Sequence, residues 1–152
     1  MLPIAGTMVL YMSYKTVLFS ASKTMSLIQN MLAPVSVVDY DPFQTLLVEY
    51  DLKKKVAKIH KLLLHLHHDQ PPFIKMAIDD IEEAIKNINE CIEQYKIAKE
   101  RHDLKCFNTY RTFDTTFFSK ILTINSNLLN MRFDDMIKMI QVMNGLQNMT
   151  QT

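Results

Sequence analysis

Residues 74–98 read IKMAIDDIEEAIKNINECIEQYKIA, and their spacing decides the fold. Ile74, Ala77, Ile81, Ala84, Ile88, Cys91, Tyr95 and Ala98 recur at intervals of three and four without a miss. That is the period of one face of an α-helix. Ile78, Ile85 and Ile92 form a second row beside the first. Two rows widen the stripe enough to face a multi-helix core rather than a single partner helix. Asp69-Gln70-Pro71-Pro72 marks the start, because aspartate can cap a helix and proline suits its first turn.

Outward from this segment the same period returns. Tyr11, Tyr14, Leu18, Ala21, Met25, Ile28 and Leu32 share one face upstream, and Pro34 ends that run. Between Pro42 and Asp69 lie Val48, Leu52, Val56, Ile59, Leu63 and Leu66. Downstream, Phe117, Ile121, Ile124, Leu128 and Met131 resume the spacing, and Phe133, Met136, Ile137, Ile140 and Met143 continue it to Asn144-Gly145, a C-terminal stop signal. The spacing predicts helices at roughly 7–32, 43–68, 72–101, 113–131 and 133–145, the last two being one helix or two. Residues 33–42 and 102–111 read as loops.

These stripes predict an all-α protein, an antiparallel four- or five-helix up-down bundle forming one domain over residues 1–152. Ile28, Leu63, Ile81, Ile88 and Ile121 are its expected core. Composition agrees. The chain has 152 residues, of which 48% are hydrophobic and 22% charged, so one core can bury most of its apolar side chains. Two glycines, Gly6 and Gly145, are too few for a turn-rich β fold or for a phosphate-cradling loop.

The functional signals are fewer. A net charge of +1 gives no bulk attraction to nucleic acid, and none is expected as a partner. Two cysteines do not make a disulfide framework. The apolar run from Leu2 to Met12 is too short for a membrane span, and no basic region precedes it as in a secretion signal. Cytoplasmic placement, peripheral to membranes at most, is the expectation, and there the sequon Asn148-Met149-Thr150 carries no meaning.

No constellation predicts catalysis. His60, His65, His67 and His68 cluster, and His65 and His68 have metal-ligand spacing, but a solvated helix end explains them more simply. Cys91 falls on the core stripe. Cys106, near His102, lacks any specified group that would lower its thiol pKa. Neighbouring carboxylates such as Asp79-Asp80, Glu82-Glu83 and Asp134-Asp135 do not converge on a helix as a catalytic dyad must. No enzyme activity, metal or cofactor is expected.

Two surfaces remain as binding candidates. Lys53, Lys54, Lys55 and Lys58 open the second helix, while Lys96, Lys99, Arg101, Lys105 and Arg111 follow the end of the third. Antiparallel helices would bring both groups to one pole, where they could meet anionic lipid headgroups. Glu49, Asp51, Glu100, Asp103 and Asp114 dilute that charge. The chain also holds eleven methionines, with Met131, Met136, Met139, Met143 and Met149 toward the C-terminus. Methionine adapts to irregular contact surfaces, which makes Met136, Met139 and Met143 candidates for binding a protein partner or a second copy.

The segments Lys105-Cys106-Phe107, Phe117-Phe118-Ser119-Lys120-Ile121 and Asn127-Leu128-Leu129, with a linker and then a long amphipathic helix after the third helix, resemble the HeLo-type four-helix bundles. That group includes the bundle of the mixed-lineage kinase domain-like protein. The resemblance implies self-association and binding of anionic phospholipids, with action on membranes in cell death or defence. The reading from the residues themselves is a non-enzymatic interaction module, an adaptor or a self-associating protein.

Overall fold

The computed structural model describes residues 2–66, 70–105 and 111–150, with side chains from Lys15 onward. Five α-helices and no strand occur among them, so the protein is all-α. They are α1 (Leu2–Leu32), α2 (Pro42–Glu49), α3 (Leu52–His65), α4 (Pro72–Asp103) and α5 (Thr116–Thr150), with a short 3₁₀ turn at Val37–Asp39.

Helix α4 is the centre of the packing. It lies between α1 and α5 and buries Ile74, Ala77, Ile78, Ile81, Ala84, Ile85, Ile88, Cys91, Ile92 and Tyr95, both rows of the sequence pattern. Fully burying one such isoleucine contributes roughly 1.5–3 kcal/mol of transfer free energy. Ile28, Leu63, Ile81 and Ile88 are buried as expected. Ile121 is only partly buried and packs at the edge of the core.

Specific contacts give the sense of each packed pair. Arg132 Nη1 donates to the Asp80 carbonyl at 2.6 Å and lies 3.5 Å from Glu83 Oε2. The Cys91 thiol donates to the Phe118 carbonyl at 3.4 Å, so α5 runs against α4 along this contact. Lys23 Nζ sits 3.0 Å from Glu93 Oε1, and Asn89 Nδ2 donates to the Ser20 carbonyl at 3.5 Å. Hence α1 and α4 run in the same sense where they touch.

The segment expected as one helix over 43–68 is two. Tyr50 closes α2, and Asp51 adopts φ 49°, ψ 40°, a left-handed conformation, before α3 begins at Leu52. Aspartate tolerates this region better than most residues, so one residue re-aims the chain between two helices. Val48 is exposed as a result, not part of the core face. Asp41 sets the start of α2 through a capping box. Its Oδ1 accepts from Gln44 N at 2.8 Å, and its own N–H donates to Gln44 Oε1 at 3.1 Å.

The segments expected at 113–131 and 133–145 are a single helix. It continues through Gly145 to Thr150, and Gly145 does not adopt the positive φ of a C-terminal cap. Asp114 Oδ1 accepts from Thr116 N at 2.9 Å at its start; a hydrogen bond from the Thr116 side chain, and then this backbone one, hold the Asp114 carboxyl below its usual range.

Candidate functional site

Two surfaces were expected to bind, and the structure treats them differently. On α3, Lys53, Lys54 and Lys58 are exposed and Lys55 is half-buried. Around the end of α4, Lys96, Arg101 and Lys105 are exposed, and Arg111 is exposed ahead of α5. Lys53 from the first group and Lys96 and Lys99 from the second lie beside the C-terminal end of α1. Val35 lines a groove of about 460 Å³ with Asp51 and Lys53. It also lines a neighbouring cleft of about 250 Å³ with Lys96, Lys99, Glu100 and Asp103. Carboxylates therefore share this end with the cations.

Lys99 already has protein partners. Its Nζ lies 3.7 Å from Asp41 Oδ2 and 5.8 Å from the centre of the Phe113 ring. Asp41 Oδ2 also accepts a hydrogen bond from the buried Tyr95 hydroxyl. The Tyr95 ring stacks on Phe43 at 4.1 Å between centroids and meets Phe113 and Phe118 edge-on. Burial, and then the hydrogen bond to the Asp41 carboxylate, push the Tyr95 phenol above its ordinary range. This aromatic cluster fastens α2, α4 and the start of α5 together, so Lys99 serves packing at the pole.

The methionine candidates divide. Met136 is fully buried and cannot meet a partner, because it points into the face of α5 that packs on the bundle. Met143 is partly buried against the core. Met139 is exposed at the rim of a cleft formed with Phe73, Met76, Asp80, Arg132 and Asp135.

The larger surprise on α5 is which stripe is inside. Leu122, Ser126, Leu129 and Met136 are buried, with Phe133 and Ile140 beside them. Of the positions expected inside, Met136 is buried and Ile121, Phe133, Ile140 and Met143 pack on the core, but three in the first half are turned out. Phe117, Ile124 and Met131, with Val142 and Leu146 farther along, each keep between 50% and 66% of their surface exposed. At about 100° per residue these side chains fall within one quadrant of the helix, roughly two-fifths of a turn from the buried face. Helix α5 thus carries two apolar faces, and the described residues cover one.

The remaining reactive groups have structural partners. Cys91 is buried, and burial pushes its thiol up to about 11, out of the range of an activated nucleophile. His65 Nδ1 lies 2.7 Å from the Lys61 carbonyl, His60 Nε2 lies 3.4 Å from Ser22 Oγ, and His102 packs against Phe113. His67, His68 and Cys106 lie outside the described residues. Among the described residues no group of three or more His, Cys, Asp or Glu side chains could hold a metal ion, and no helix is long and apolar enough to cross a membrane. No protein family, curated protein or solved structure matches the chain.

Proposed function

We propose that this chain is a non-enzymatic interaction module, an adaptor or a self-associating protein, and that the outward apolar face of α5 is its binding surface. The exposed row Phe117, Ile124, Met131, Val142 and Leu146 carries this reading. Single exposed apolar residues are ordinary on any protein, but an aligned row along one long helix is the pattern of a contact surface. Met131→Glu and Val142→Glu test it without touching the core. Affinity capture and light scattering should show associations for wild type that both variants lose. Identical capture profiles, with all three proteins monomeric, would remove the reading.

A second reading has one observation in its favour, the convergence of the α3 and α4 lysines beside Val35. In that reading the pole binds anionic lipid headgroups, and the chain works in the cytoplasm and peripherally at membranes, as the HeLo-type resemblance implies. Each basic residue near an anionic surface would add about 1 kcal/mol. Co-sedimentation with phosphatidylserine vesicles should then exceed that with neutral vesicles. It should also drop in a Lys53/Lys54/Lys55→Glu variant; equal pelleting throughout would rule the lipid reading out.

A further inference from the structure

The outward face of α5 has an internal order that specifies what covers it. Phe117, Ile121, Ile124, Leu128, Met131, Asp135, Lys138, Val142 and Gly145 follow one another at alternating steps of four and three, with the partly buried Ile121 and Leu128 on the edge nearer the core. That is the seven-residue repeat of a helix-pairing seam. The series is apolar except at Asp135 and Lys138, both exposed, whose positions place an acid and a base side by side near its middle. Neither takes part in the ion pairs Lys23–Glu93, Lys86–Glu82, Lys99–Asp41 and Arg132–Glu83.

We propose that a second copy of this chain covers this face, its α5 lying antiparallel to the first about a two-fold axis level with Met136 and Ile137. The inference rests on the interaction-module reading and names its partner. In this register Asp135 meets the second copy's Lys138, and Lys138 meets its Asp135. Met131 then faces Val142 from both sides of the axis, and Leu128 faces Gly145. A two-fold interface must be self-complementary, and this series satisfies that requirement. A parallel pair in register would set Asp135 against Asp135 and Lys138 against Lys138. Sliding the antiparallel pair by one repeat would set each charge against an apolar residue. Charged seam positions therefore select a single alignment, as polar seam residues do in coiled coils.

Gly145 supports the same alignment. A Cβ added there would meet nothing within 4 Å in this chain, so packing within the chain does not call for a glycine in this helical position. Opposite Leu128 of a second copy, the missing side chain leaves room for the larger one.

The test is charge reversal in the intact chain. Sedimentation equilibrium and light scattering from low micromolar to submillimolar protein should show a dimer for wild type. Asp135→Lys and Lys138→Asp should each raise the dissociation constant on the order of tenfold or more, because two attractive pairs become two like-charge contacts. The double variant Asp135→Lys/Lys138→Asp restores both pairs and should return to within a few-fold of wild type. Both sites are exposed, so unchanged circular dichroism will show that folding is intact. A monomeric wild type, indifference to the single reversals, or a double variant as weak as either single each overturns the proposal. If wild type is monomeric but Met131→Glu abolishes capture of another protein, self-pairing falls while the module reading stands.

Discussion

Replacing Asp41 by alanine tests how the pole of the bundle is held together. Three interactions end on this carboxylate, and they differ in worth. Loss of the α2 cap costs about 1 kcal/mol. Its Oδ2 is the acceptor for the Tyr95 hydroxyl, and Tyr95 is 1% exposed, so the variant strands a buried donor at a cost of about 1–3 kcal/mol. The Lys99 pair adds little, since the lysine side chain is 38% exposed at 3.7 Å and solvent screens it. Asp41→Ala should therefore destabilise by about 2–4 kcal/mol, read as a shift of the urea midpoint at constant slope. Tyr95→Phe removes the hydroxyl and its need together and should cost about 1 kcal/mol. In the double variant no donor is stranded, so the Asp41 loss should shrink to roughly the capping cost and leave a coupling of about 1–3 kcal/mol. If Asp41→Ala costs as much in the Tyr95→Phe background as in wild type, the hydrogen bond does not anchor the pole.

The two α5 methionines should separate cleanly: Met136→Ala leaves a buried cavity and should cost about 2–5 kcal/mol, whereas exposed Met139→Ala should stay within about 0.5 kcal/mol in the same urea assay. Asp51→Gly should stabilise by up to about 1 kcal/mol, because glycine enters the left-handed conformation at φ 49° without a Cβ penalty; a loss in thermal midpoint would show that the aspartate side chain holds the junction. Stability should fall in alkali. Burial raises Cys91 from 9.0 to about 11 and lifts Tyr95 above its ordinary 10.0, so the folded state favours both un-ionised forms. Their contribution is complete below pH 9 and is lost as pH climbs through 9–11 for Cys91 and above 10 for Tyr95. Denaturation midpoints measured across that range should decline less steeply for Tyr95→Phe than for wild type.

The central helix was legible from its residues because its isoleucine and alanine rows fall on one broad face that two partners cover, and only Phe73, Met76 and Ile97 among its large apolar residues stay exposed. Helix α5 was not legible in the same way. It has two apolar rows, Phe117–Ile124–Met131 and Leu122–Leu129–Met136, and periodicity alone cannot say which row meets the core. A hint was available, since Ser126 and Asn125 interrupt the row that is buried while the exposed row is apolar over the same turns. A purely hydrophobic criterion therefore selects the wrong row. The break at Asp51 escaped detection for a different reason. No glycine or proline marks it, and Val48 on α2 keeps helical spacing with Leu52, Val56 and Ile59 on α3 across the junction. The basic groups could be assigned to one end from helix order, but the capture of Lys99 by Asp41 depends on the loop before α2, which no spacing describes.

The far end of α5 bears on the proposed partner. From Asn144 onward every described residue is exposed, so the last turns bury no side chain in the core. A helical segment this short is marginal in water by itself, and glycine in a helix interior costs about 0.5–1 kcal/mol relative to alanine. Gly145 sits within these turns with open space around it. Surface selection for helix stability alone would favour alanine there, and it would favour polar residues over Val142 and Leu146. The segment shows the reverse on both counts, with apolar side chains exposed and a glycine between them. Both departures lie on the face of α5 that continues through Met131 and Ile124, and none lies on the face that packs against the bundle. The proposed contact along that face, by a helix that needs clearance at Gly145, would account for the glycine and the apolar row together.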